Sequence, residues 1–110
     1  MFNYPDLILE SIFKYKYELD IDGREILLAI ENEATNIANK LGMTDEFTDE
    51  FKFKITINKE QYKINFYCGI EVYYHMLSRT IPVKWYKTAI VSCILNYRSR
   101  EIKIPLNIRW

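Results

Sequence analysis

The chain has 110 residues, 15 basic and 15 acidic side chains, a formal net charge of zero and 49% apolar residues. That length supports one domain, 1–110, around a single core and excludes two. The apolar share and the 27% of charged residues exclude a disordered chain, and a total of three glycines excludes the loops that cradle phosphates or dinucleotides. No apolar run approaches the roughly 18–20 residues that cross a bilayer, and Met1-Phe2-Asn3-Tyr4 does not read as a signal peptide. A cytoplasmic protein without membrane association is therefore expected.

The zero net charge conceals an asymmetry. Residues 1–50 hold 12 acidic and 4 basic side chains, whereas residues 51–110 hold 3 acidic and 11 basic ones. Either the halves neutralise one another, within the monomer or across a homodimer, or the chain presents a polar interaction surface. Phe, Tyr, Ile, Asn and Lys together make up 49 residues, against 15 for Ala, Gly, Pro and Arg. Codons for the first group are AT-rich, which points to an AT-rich genome such as that of a bacteriophage, a mobile element or a low-GC bacterium.

Pro5-Asp6 opens a short apolar segment, Leu7 to Ile12, compatible with one or two helical turns. From Phe13 the pattern alternates: Phe13, Tyr15, Tyr17, Leu19 and Ile21 against Lys14, Lys16, Glu18 and Asp20, which predicts a half-buried strand. Asp22-Gly23 ends it and starts a helix over residues 24–41. Asp22 is the N-cap, Glu25 completes a capping box, and Ile26, Ile30, Ala34, Ile37 and Leu41 form the buried stripe. Leu28 points away from that stripe, and Gly42 stands where a left-handed terminator is wanted.

Met43 to Glu50 reads as a solvated acidic connection, since its carboxylates lack the turn glycine and spacing of a calcium loop. Residues 51–68 carry the clearest signal in the chain. Phe51, Phe53, Ile55 and Ile57, then Tyr62, Ile64, Phe66 and Cys68, alternate with polar residues around Asn58-Lys59-Glu60-Gln61, which predicts a β-hairpin. Pairing Ile57 with Tyr62 sets Lys52 opposite Tyr67, Lys54 opposite Asn65 and Thr56 opposite Lys63.

Ile70 to Leu77 fits a helix or a strand, with strand preferred and Gly69 as a bulge or tight turn. Ser78 to Pro82 is a break. Thr88 to Tyr97, rich in β-branched residues, reads as a largely buried strand, with a helix beginning at Pro82 as the alternative. Asn96 to Arg100 connects it to a final strand, Ile102, Ile104, Leu106, Ile108 and Trp110 inward, placed at a sheet edge by Pro105. The fold class expected is α+β, with one or two helices packed on a mostly antiparallel β-sheet.

Catalytic and metal motifs do not stand out, so no catalytic residue, metal ligand or cofactor is assigned. His75, beside Arg79, is the sole histidine, and it reads as a boundary residue. Glu50-Phe51-Lys52 and Glu101-Ile102-Lys103 have the Glu-x-Lys spacing of metal-dependent nucleases but lack an identifiable aspartate from a neighbouring strand. Cys68 and Cys93 read as buried free thiols.

What remains is the outer surface of the sheet. Lys52, Lys54, Lys63, Tyr67, Lys103 and Arg109 have outward parity, and Arg98 and Arg100 are placed in a turn. A basic face with an aromatic ring suits a protein partner, through Tyr and Arg hot spots, or nucleic acid, through phosphate contacts and stacking. The expectation is a small non-enzymatic binding protein that occludes a macromolecular partner, in the manner of a phage or mobile-element inhibitor of a host defence or host enzyme. A nucleic-acid or nucleotide binder is the alternative, followed by a metal-dependent nuclease.

Overall fold

Two helices, α1 (Pro5–Tyr17) and α2 (Gly23–Lys40), cover one face of a four-stranded antiparallel sheet. Its strands β1 (Thr48–Asn58), β2 (Tyr62–Met76), β3 (Pro82–Tyr97) and β4 (Arg100–Arg109) lie side by side in chain order, so the expected α+β architecture is present with both helices formed. The computed structural model describes residues 4–40, 48–76 and 82–110, and their side chains except at 48–49, 74–76 and 82–85.

The first correction concerns residues 13–21, which do not form a strand. Phe13 to Tyr17 is the last stretch of α1. Pro5, with its fixed φ, suits the first helical turn, and Leu9 and Phe13, one helical repeat apart, are fully buried. Asp6 in the first turn and Lys14 and Lys16 in the last complement the helix dipole. Apolar residues at 13, 15 and 17 alternate because α1 has apolar side chains on two sides: Tyr15 is 92% exposed. Glu18, at φ 52°, turns left-handed and ends the helix; its N–H donates to the Lys14 carbonyl at 3.1 Å, and that of Leu19 to the Phe13 carbonyl at 3.2 Å.

In α2 the cap is half of what the spacing suggested. Asp22 Oδ1 accepts from the amides of Arg24 and Glu25, each at 3.1 Å. Glu25 does not reach back; its carboxylate takes Lys59 Nζ at 2.8 Å, beyond the end of β1. Ile26, Ile30 and Ala34 are buried as expected, Ile37 is only partly buried while Ala38 beside it is buried, and Leu28 faces outward. Gly23 marks a close crossing, since a Cβ there would stand 2.3 Å from the Asp6 carbonyl oxygen of α1. The expected terminator Gly42, like the rest of 41–47, lies outside the described residues, but Thr48 to Glu50 already belong to β1 rather than to a connection.

The β1–β2 hairpin has the predicted faces and a different register. Ile57 pairs with Ile64, Lys54 with Tyr67, Thr56 with Asn65 and Lys52 with Gly69. The slip is two residues, which preserves every inward and outward assignment. It arises because the turn is centred one residue later than expected: Lys59 N–H donates to the Tyr62 carbonyl at 2.8 Å, leaving Glu60 and Gln61 as the turn. Thr56 Oγ1 to Asn65 Oδ1, at 2.7 Å, reinforces that pairing across the outer face.

Residues 70–76 continue as strand, and β3 is strand from Pro82, so neither helical alternative applies. Leu77 and the break up to Ile81 lie outside the described residues. Gly69 is a regular strand residue. The bulge is at Val91, since Tyr67 pairs with Ser92 and Cys68 with Ile90. Val91 and Ser92 fall between buried Ile90 and buried Cys93, so the inward parity changes there. That change made residues 88–97 look buried on both faces, whereas β3 is buried on one and Val91 is 58% exposed. At the β3–β4 turn, Tyr97 already pairs with Arg100, and only Arg98 and Ser99 connect them, both with positive φ (52° and 61°).

The core forms between the helices and the inner sheet face. Leu9, Phe13, Ile26 and Ile30 meet Ile64, Phe66, Ile90, Leu95 and Ile104, and Ala34 and Ala38 meet Ile70 and Val72. Polar ties fix α2 across the strands: Thr35 Oγ1 lies 2.8 Å from the Tyr86 hydroxyl, and Trp110 Nε1 donates to Glu31 at 3.3 Å. Cys68 and Cys93 are free thiols, 3% and 1% exposed, and burial pushes each up to about 12.

Candidate functional site on the open sheet face

Both helices pack on one face of the sheet, so the other face is open and its side chains stand in cross-strand rows. One row reads Lys52–Gly69–Ala89–Arg109 from β1 to β4. The two smallest side chains occupy the central strands, and a cation stands on each edge strand. Strand spacing puts the ends of the row about 14 Å apart. Small residues at the centre, with the bulge at Val91 bending β3 beside them, leave a groove of about 1150 Å³.

The neighbouring rows complete it. Lys54, Tyr67 and Ser92 flank the row on one side, and Glu50, Glu71 and Lys87 on the other. Lys87 Nζ lies 5.8 Å from the centre of the Tyr73 ring, and the Tyr73 hydroxyl donates to the Glu71 carboxylate. That hydrogen bond is the main cause holding the Tyr73 phenol above its ordinary value. Cations therefore dominate the groove on one side, and a pair of carboxylates with Lys87 closes the other.

Of the eight residues singled out in the sequence, Lys52, Lys54, Tyr67 and Arg109 line this groove. Lys63 and Lys103 share the open face but lie farther along it, Lys63 between Asn58 and Asn96 and Lys103 beside Ile94. Arg98 sits at the tip of the β3–β4 turn, its guanidinium 4.9 Å from the Tyr97 ring centre. Arg100 is the first residue of β4 rather than part of a turn, and it shares the parity of Ile102 and Ile104, toward the helices. Lys63, Arg98 and Arg100 border a separate shallow depression at that end of the sheet.

Lys87, Gly69, Ala89, Glu50 and Glu71 were not anticipated as groove residues. Lys87 and Ala89 alternate with buried Thr88 and Ile90, a signal that the apolar reading of β3 hid. Glu71 is the carboxylate that Glu50-Phe51-Lys52 lacked in the sequence, since Glu50 pairs directly with Glu71. Two carboxylates remain a thin ligand set, and no group of three or more His, Cys, Asp or Glu side chains converges among the described residues. The side chain of His75 and the whole of Arg79 lie outside the described residues.

The charge asymmetry of the sequence becomes an asymmetry of faces. The described part of the helical half carries Asp6, Glu10, Glu18, Asp20, Asp22, Glu25, Glu31 and Glu33 against Lys14, Lys16, Arg24 and Lys40, a net negative layer behind the sheet. Lys52, Lys54, Lys63, Lys87, Lys103 and Arg109 stand in front of it. Lys59 and Glu25 bridge the two at one end; the open face is otherwise turned away from the helical layer.

No protein-family model, curated protein or solved structure matches the chain. No described helix is long and apolar enough to cross a membrane.

Proposed function

We propose that the protein is a non-enzymatic binding module that occludes a macromolecular partner, and that the partner is a protein whose acidic segment lies in the open-face groove. The observation that carries this reading is the row Lys52–Gly69–Ala89–Arg109, in which the two smallest residues make room and two cations fix what enters. Edge cations of this kind steer encounter and set register, while the aromatic ring of Tyr67 supplies contact area.

Glu50 and Glu71 favour a protein over a nucleic acid. They stand next to the basic row, where a uniformly anionic backbone would meet two carboxylates, whereas a polypeptide can match acids to the lysines and a basic or neutral residue to Glu50 and Glu71. The specific feature favouring nucleic acid is Tyr67 beside Lys54, a stacking platform next to a phosphate contact.

The test is fluorescence anisotropy with a labelled acidic polypeptide and, separately, a labelled single-stranded oligonucleotide, each titrated against wild type, Lys52→Glu with Arg109→Glu, and Lys63→Glu. Binding of the polypeptide, lost in the double variant and kept in Lys63→Glu, supports the groove. Oligonucleotide binding with a steep salt slope would move the reading to nucleic acid. Failure of both probes at low salt would count against a charge-reading groove.

A further inference from the structure

The bulge gives β3 one residue more than β2 on the open face. Val91 has no partner on β2, since Tyr67 pairs with Ser92 and Cys68 with Ile90. On β4 it stands against Leu106 and Asn107, between the pairs Ile90–Ile108 and Ser92–Pro105. Its side chain is 58% exposed, Tyr67 on the neighbouring strand is 37% exposed, and both line the groove. Of the large apolar side chains described in the sheet, these two are the exposed ones. A bulge interrupts pairing and re-aims a side chain, and the side chain aimed outward here is an aliphatic group beside the groove floor.

Cations stand on both sides of this pair. Lys54 is opposite Tyr67 on β1. On β4, Arg109 Nε donates to Asn107 Oδ1 at 3.2 Å, which holds the guanidinium on the Val91 side of its row.

We propose that Tyr67 and Val91 form an apolar anchor site within the groove, and that the partner segment is an extended polypeptide with the pattern acid–x–apolar–x–acid. The spacing follows from the sheet. β1 and β4 each lie about 7 Å from the midline between β2 and β3, one and a half strand spacings. Residues two apart on an extended chain are about 6.8 Å apart and point the same way. An apolar side chain seated between the Tyr67 ring and Val91 therefore carries the second residue on either side toward Lys54 and toward Arg109. A purely apolar segment would desolvate both cations without pairing them, and a purely acidic one would leave Val91 and Tyr67 unused. The anchor rests on the groove being the binding surface, and the experiment separates the two.

Fluorescence anisotropy with three labelled, end-blocked peptides of equal length and charge tests it. The first is centred on glutamate, serine, leucine, serine, glutamate. The second has serine in place of the leucine, and the third has the glutamates moved next to the leucine. Each is titrated against wild type, Val91→Thr, Val91→Lys and Lys52→Glu with Arg109→Glu, with melting curves as a check on folding. Wild type is expected to bind the first peptide about tenfold tighter than the second, and tighter than the third. Val91→Thr keeps the branched shape and loses one methyl, so it should narrow the leucine advantage by roughly threefold or more. Val91→Lys should abolish that advantage while tightening the second peptide, because a further cation attracts glutamate.

Equal affinities for the first and second peptides in wild type, or a leucine advantage intact in both Val91 variants, would overturn the anchor. If the charge-reversed double variant still releases those peptides, the groove stands without it. A third peptide that binds as tightly as the first would sink the spacing. No binding of any peptide at low salt would remove the anchor and the groove reading together.

Discussion

Lys52 and Arg109 are 57 positions apart in the chain and stand at the two ends of one row, on opposite edges of the sheet, with Gly69 and Ala89 between them. Neither cation has a large neighbour on the row. Room and charge therefore occur together, and the groove depends on the size of two residues as much as on the sign of two others.

Filling that room separates binding from folding. Gly69 does not have a positive φ, and a Cβ there would find only the Phe51 carbonyl oxygen, at an ordinary 3.8 Å. Gly69→Val should leave stability unchanged or raise it by up to about 1 kcal/mol, with the melting temperature equal or higher, since a β-branched residue suits a strand interior. Binding of the acidic polypeptide should fall. Retained binding with a normal melt would move the site off this row.

At Gly23 the opposite result is expected. Alanine is ordinarily the better helix former, yet a Cβ at this position would stand 2.3 Å from the Asp6 carbonyl oxygen, and backbone cannot swing aside. Gly23→Ala should destabilise by roughly 1–3 kcal/mol as α1 and α2 are forced apart. Denaturant unfolding measures it, and an unchanged midpoint would contradict the crossing.

The turn at Arg98 and Ser99 carries two positive φ angles without a glycine. Ser99→Gly removes the steric cost of that conformation and should stabilise by several tenths of a kcal/mol, up to about 1. Equilibrium unfolding against wild type checks the sign; destabilisation would show that the turn is not left-handed at that position.

Cys68 and Cys93 should react slowly with a thiol reagent in the native protein and rapidly once it is denatured, because burial holds both thiols protonated with values pushed up to about 12. The linkage has a definite sign. A thiol harder to ionise folded than unfolded contributes its stability fully below the unfolded value of about 9 and loses it as pH rises from there toward about 12. Stability should therefore fall above pH 9, and Cys68→Ala with Cys93→Ala should flatten that fall, read from midpoints on either side of it.

Much of this was legible because one face of each strand is buried. Period two assigned Lys52, Lys54, Lys63, Tyr67, Lys103 and Arg109 to the open face correctly, and the 3.6-residue stripe of α2 placed it against the other. Alternation cannot count turns, so it left the hairpin free to slip by two residues, and that slip decided that Lys52 faces Gly69 rather than Tyr67. In α1, Phe13, Tyr15 and Tyr17 satisfied a strand pattern because the helix is apolar on two sides. At Val91 a bulge reversed parity within a run of apolar residues, which hid Lys87 and Ala89 from any reading by periodicity.

The separation of charge across the sheet has a kinetic consequence. With a formal net charge of zero the protein is not drawn to an acidic partner as a whole. It turns instead. A net negative helical layer behind and basic rows in front, partly offset by Glu50 and Glu71, make a dipole along the sheet normal, and a negative surface exerts a torque that presents the groove first and holds α1 and α2 away. Orientation is thus selected before contact, and the fraction of collisions that arrive sheet-first rises over the last Debye length of the approach, about 8 Å at physiological salt. Added salt should slow association far more than it hastens dissociation, an unusual sensitivity for a protein whose charges cancel.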